Sequence, residues 1–178
     1  MDAAQRRGSP RHTEKNTLMA RAASATDRTR LTGQAMALAV LLLVQFFLGM
    51  ITNLFVTIPD SHPGAGAKDF FSGAPRSVAW AISSGPTWLA IHAALGLALC
   101  VASILFIITA ARAGDRMWIW LSVVGCLLMI GAAFNGASFV TYNHDFSSLI
   151  MAGLFALTLA TYLAGIYYAS RRAPAASR

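Results

Sequence analysis

Charged residues are scarce in this 178-residue chain, at 12% against roughly 25% in an ordinary soluble domain. They are almost missing from four windows, 33–58, 85–111, 117–141 and 146–169. A soluble helical bundle must turn a polar face to water every few residues, and none of the four windows has one, so that class is excluded. Cysteine occurs only as Cys100 and Cys126, each well inside a window. A disulfide framework is therefore not expected, and no spaced CxxC pair is present to suggest a metal. Lysine is nearly absent too: two lysines stand against twelve arginines amid abundant alanine, a composition typical of a GC-rich bacterial genome.

Apolar residues fill the space, at 56% of the chain. Each window exceeds the roughly 20 residues that a membrane-spanning helix needs. The expected fold is all-α, an integral membrane four-helix bundle over 33–169, with a basic arm at 1–32 and a basic tail at 170–178. The first window is too long for the roughly 7–15-residue apolar core of a signal peptide and follows about 32 polar residues, so it reads as a retained span. Short links at 112–116 and 142–145 force neighbouring helices antiparallel, giving an up-down-up-down order.

Orientation follows from lysine and arginine. Seven lie in the arm, two in the 112–116 turn and three in the tail, whereas the other connections hold only Lys68 and Arg76. Both termini are expected in the cytoplasm of a bacterial plasma (inner) membrane. The net charge of +7 is explained by this asymmetry, and no nucleic acid partner is implied. The arm, poor in apolar anchors, reads as disordered and drawn to anionic lipid. The external loop at 59–84 opens with two prolines and a glycine, and its Ser77–Ile82 stretch is apolar enough to lie in the headgroup region. With Phe70, Phe71, Trp80 and Trp88 it forms either an aromatic girdle or a lid over an outer site.

Small residues should let the spans approach closely. Ala152, Ala156, Ala160 and Ala164 with Gly153 and Gly165 form one candidate packing ladder; Ala90, Ala94, Ala98 and Ala102 form another. Gln45, Gly49 and Asn53 share a stripe of the first span, and Asn135 lies near Ser138 on the third. These amides should point inward and pair, fastening helices or lining a ligand cavity.

Histidine is the lead to function. His92 lies seven residues into the second span, roughly 9 Å below its outer end at about 1.5 Å per residue. Gly96 and Cys100 follow at i+4 and i+8, leaving a flat strip where a planar ring could rest. His144 and His62 belong to the same side. Three readings stay open. His92 and His144 could ligate a b-type haem. His62, His144 and a carboxylate such as Asp60 or Asp145 could hold a divalent metal. Or His92 pairs with Asn135 or Asn53 and the loop histidines are merely solvated.

The pattern Gln45–Pro59 (QFFLGMITNLFVTIP), a long external loop, a histidine early in the second span and one at the start of the fourth resembles one half of the haem A synthase family, over roughly residues 34–169. That resemblance implies a haem facing His92 and His144, which sharpens the reading of haem b held between the second and fourth helices, with Gly96 and Asn135 as further cofactor-binding residues. The function expected of such a protein is electron exchange with quinol or another redox partner on the outer side. The chain departs from the family in having no second half, no glutamate one turn before His92 and no cysteine in the external loop, which points away from haem A synthesis itself. The competing expectation is an accessory or assembly subunit of a membrane-protein complex, with no cofactor.

The charge asymmetry generates one prediction. A cysteine placed at Gly64 is labelled by an impermeant thiol reagent from outside the cell, and one placed at Gly114 only after the membrane is opened. Labelling of both from the same side reverses the topology.

Overall fold

The structure, a computed structural model, describes the backbone of residues 10–171 and the side chains of most residues from Ala25 onward. The described residues form five helices: α1 (Pro10–Phe55), α2 (Phe70–Ser83), α3 (Thr87–Ala113), α4 (Arg116–Tyr142) and α5 (Asp145–Arg171). Four are long and apolar enough to cross a membrane, within Ala25–Phe55, Thr87–Ala113, Arg116–Tyr142 and Phe146–Arg171. At about 1.5 Å per residue, a 27-residue helix such as α3 is about 40 Å long and spans hydrocarbon and headgroups together. The fold is the all-helical four-span bundle that hydropathy implies, and its apolar surface suits contact with a lipid bilayer.

Two boundaries differ from expectation. The arm expected to be disordered through residue 32 is helical from Pro10 onward. No glycine or proline interrupts residues 11–32, and lengthening an existing helix adds one hydrogen bond per residue without a new nucleus. The second difference is α2, which replaces most of the expected external loop. Asp69 caps it by accepting from the Ser72 amide at 2.8 Å and from the Ser72 hydroxyl at 2.7 Å. These two bonds hold the Asp69 carboxyl below its ordinary pKa, the hydroxyl bond most. A lowered carboxyl pKa means the cap supports α2 fully above the ordinary value of about 3.9 and is lost as pH falls below it. At the other end, the Ser84 and Gly85 amides both donate to the Trp80 carbonyl, and Pro86 follows to start α3.

The links are tight because their residues take unusual backbone angles. Gly114 ends α3 in the left-handed region at φ 68°, and Asp115 accepts from the Met117 and Trp118 amides to begin α4. Asn143 ends α4 at φ 55°, a conformation asparagine tolerates better than most residues. In the resulting bundle α1 packs beside α3 and α5, α4 also packs beside α3 and α5, and α2 lies across α3 and α4. Both ends of the described chain therefore lie at one end of the bundle, with α2 at the other.

Packing differs sharply between those ends. Towards the termini, Trp118, Phe106 and Tyr162 interlock with Leu31 and Leu99, all at most 2% exposed. Phe106 meets Trp118 and Tyr162 edge to face, with ring centroids 5.8 and 5.9 Å apart. Gly125 and Gly165 make room for this cluster: a methyl group would lie 2.7 Å from the Tyr162 ring at one and 2.7 Å from Trp118 at the other. The alanine ladder of α5 does not do this work. Ala152, Ala156 and Ala160 are exposed, because Thr158, Tyr162 and Gly165 turn the opposite stripe to the core.

Gly153 and Gly165 were grouped by sequence, and packing separates them. Gly165→Ala should cost about 1–3 kcal/mol by pressing on a rigid buried indole. Gly153, with nothing within 4 Å of a built methyl group, should accept alanine at no cost or gain about 0.5–1 kcal/mol. Thermal unfolding of the two variants in detergent checks the pair.

Candidate functional site

The end beneath α2 is hollow. A cavity of about 500 Å³ opens there, lined from all five helices, within the size range of small-molecule sites. α1 presents Gln45, Gly49, Thr52 and Asn53, whose spacing places them on one stripe. α3 presents His92, Gly96 and Cys100, the strip expected from their i, i+4, i+8 spacing. α2 roofs the cavity with Phe70, Ala74, Val78 and Ala81, while α4 and α5 add apolar and small side chains. The stretch read either as a girdle or as a lid thus lies over the cavity. Among the described residues, the lining contains no Lys, Arg, Asp or Glu.

The polar centre of this wall is the pair Gln45 and His92. The Gln45 amide nitrogen donates to the His92 carbonyl at 3.0 Å and lies 3.5 Å from His92 Nε2. The carbonyl can only accept, so it fixes which end of the Gln45 amide is nitrogen. The NH2 beside Nε2 suits the tautomer in which that ring nitrogen accepts. Two glycines allow the pair to form. A methyl group at Gly49 would lie 2.9 Å from His92 Cε1, and one at Gly96 would lie 3.0 Å from Gln45 Nε2. Each helix thus opens a gap for the other's polar side chain.

Pairing leaves two atoms over. His92 Nδ1 and Gln45 Oε1 are both buried without a hydrogen-bond partner. In hydrocarbon such a group costs several kcal/mol because no water can take the partner's place. The Tyr162 hydroxyl is also buried and unpartnered, but it lies within the packed aromatic cluster and does not line the cavity.

The other candidate residues lie elsewhere. His144 is exposed in the α4–α5 link and stacks on Tyr142 at 5.8 Å. Asn135 donates to the Gly131 carbonyl of its own helix at 2.9 Å. Neither lines the cavity, so the structure brings together His92 and Gly96 but not His144 or Asn135. As arranged, the residues do not fit a haem held by two histidines, since only one imidazole lines the cavity and its Nε2 faces an amide donor. His62 is not merely solvated: its ring stacks on Trp80 at 4.2 Å with planes 10° apart. Its Nε2 lies 3.1 Å from the Val140 carbonyl, which ties the first loop and α2 to α4. Asp60 is exposed, and the Asp145 side chain lies outside the described residues. Among the described residues, no three or more His, Cys, Asp or Glu gather where a metal ion could be held.

Sequence reasoning singled out both Gln45 and His92 but paired His92 with Asn135 or Asn53. Asn53 instead accepts from the Ser148 hydroxyl at 3.4 Å. The overlooked signal was reciprocal: a large polar residue and a glycine four apart on each of two helices, Gln45 with Gly49 and His92 with Gly96. Comparison with protein-family models, with curated proteins and with solved structures found no significant match.

His62→Ala should lose the ring stack and one hydrogen bond, about 1–2 kcal/mol in all. The loss should show as faster proteolysis of the 59–69 segment before global unfolding. Gly49→Ala should be worse than Gly96→Ala, because the imidazole edge cannot move aside as the end of a glutamine can. A lower melting temperature for Gly96→Ala than for Gly49→Ala would contradict that order.

Proposed function

We propose that the protein is a multi-pass protein of a bacterial inner membrane that binds a small lipophilic molecule beneath α2, with His92 and Gln45 as the polar anchor. In this reading α2 and the cavity face the outer side and both termini face the cytoplasm. The observation that carries it is an apolar cavity of about 500 Å³, without Lys, Arg, Asp or Glu among its described lining residues, whose wall holds the polar pair Gln45 and His92. Folding leaves His92 Nδ1 and Gln45 Oε1 of that pair without a hydrogen-bond partner.

Haem b is the ligand that the family resemblance implies; when bound, it would supply one-electron chemistry and a link to an external redox partner. A second reading is favoured by a specific contact. Because Gln45 already bonds His92 across α1 and α3, the pair can serve simply to fasten the two helices. The protein would then be an accessory or assembly subunit of a membrane complex.

Colour and extraction separate these readings. Detergent-purified protein from haem-replete cells is scanned oxidised and reduced, and its organic extract is compared with that of bulk lipid by mass spectrometry. Colourless wild-type protein carrying an enriched lipophile that is lost in His92→Phe supports the proposal. A Soret band lost in both His92→Ala and His144→Ala replaces it with two-histidine haem binding. Colourless protein with nothing enriched leaves the fastening role.

A further inference from the structure

We propose that the cavity holds a hydrocarbon chain of a membrane lipid, drawn from the leaflet on the α2 side through the gap between α3 and α4, with the head group left outside the bundle. The inference rests on the reading that the cavity binds a lipophile, and it names which part of a lipophile enters.

The chemistry of the wall excludes a head group. Among the described residues the lining holds no Lys, Arg, Asp or Glu, so a buried phosphate, carboxylate or ammonium would go without a counter-charge. The neutral polar groups are already engaged. Thr52 and Thr158 donate to carbonyls of their own helices, Asn53 accepts from Ser148, and the Gln45 amide nitrogen donates to the His92 carbonyl. His92 Nδ1 and Gln45 Oε1 lack partners but are themselves buried, so the pair anchors the wall by joining α1 to α3. What the wall presents to an occupant is chiefly hydrocarbon.

Depth and access point to a lipid chain. The lining runs over Leu42–Asn53 of α1, Leu89–Cys100 of α3 and Met129–Val140 of α4, about 16 Å of each helix at about 1.5 Å per residue. That is about half of the roughly 30 Å hydrocarbon core, the reach of the chains of one leaflet. Towards water, α2 is a fixed roof. The Gly66 amide donates to the Thr141 carbonyl at 2.9 Å and His62 Nε2 lies 3.1 Å from the Val140 carbonyl, which fastens the approach to α2 onto the end of α4. Its other end runs into α3 through residues 84–86. Towards lipid, the cavity is open. Leu97 on α3, Phe134 on α4 and Phe71 on α2 line it and are 57%, 48% and 78% exposed. None of these three side chains carries a polar atom, and the first two belong to candidate spans. A solute from water would have to displace the roof, whereas a lipid chain needs only to swing sideways.

Full-length protein is placed in nanodiscs of phosphatidylcholine and phosphatidylglycerol with a trace of one photoreactive probe. The first probe is phosphatidylcholine with a diazirine near the end of one acyl chain, and the second is geranylgeraniol with a diazirine in its last isoprene unit. After irradiation, labelled residues are mapped by mass spectrometry. Cys100 and Ile130 line the cavity; Val101 and Leu127, at neighbouring depths, do not line it and are 52% and 65% exposed. In wild-type protein at least one probe should label both pairs. Ala133→Trp, which fills the gap between α3 and α4 from an exposed position, should lose the label at Cys100 and Ile130 alone. Cavity label from the acyl probe only identifies a glycerolipid chain, from the isoprenoid probe only an isoprenoid chain, and from both a site that reads hydrocarbon; each supports the inference. Label confined to Val101 and Leu127 in wild type overturns it, and that comparison needs no variant to fold. Undiminished cavity label in folded Ala133→Trp protein overturns the route between α3 and α4. If the cavity takes no label but the purified protein carries an enriched lipophile, the chain assignment fails and the binding-cavity reading stands. If nothing is enriched either, both fall.

Discussion

A polar group buried in hydrocarbon has no water to fall back on, and that constraint governs this bundle. Most of its buried hydroxyls avoid the problem by bonding backward within their own helices. Ser103, Ser122, Thr141 and Thr158 each donate to a carbonyl three or four residues earlier, and Asn135 does the same. Such bonds satisfy the side chain but hold no two helices together. The Gln45–His92 contact reaches across instead, because its donor and acceptor belong to α1 and α3. The longer contacts of Ser148 with Asn53 and of Ser147 with Ser138 do so too. The Gln45–His92 pair joins the spans and leaves His92 Nδ1 and Gln45 Oε1 unpaired, so the same contact is at once a fastening and the polar feature of a cavity.

The two ends of the bundle answer the need for close packing differently. Towards the termini, glycines at 125 and 165 are filled by Tyr162 and Trp118 from the neighbouring helix. Beneath α2 the glycines at 49 and 96 are filled only by His92 and Gln45, with alanines and another glycine on the facing helix. Small residues therefore serve opposite ends: they bring helices together where an aromatic ring fills the gap, and they leave room where none does. α2 closes the hollow end, capped by Asp69 and tied by His62 to Trp80 and the Val140 carbonyl.

Residue type and spacing were enough for the membrane class, the number of spans and their antiparallel order, because those depend on hydropathy and link length, which are local. The His92–Gly96–Cys100 strip was equally legible, since residues four apart on a helix must share a face. Which stripe of a span faces inward was not legible. In lipid both faces are apolar, so hydropathy is blind to it, and Ala152, Ala156 and Ala160 of the α5 ladder turned out to be exposed. α2 was hidden for another reason: a proline-containing stretch of mixed polarity looks like a loop until Asp69 caps it and α3 and α4 provide a surface to cover.

The sequence by itself determined that this chain has four segments long and apolar enough to cross a membrane, and that His92 sits inside one of them. Only the tertiary structure decided its partner, because Gln45 lies 47 positions away and is matched to it by the way α1 and α3 face each other. The same holds for the hollow beneath α2. A cavity is what several helices jointly fail to fill, and no single segment encodes that.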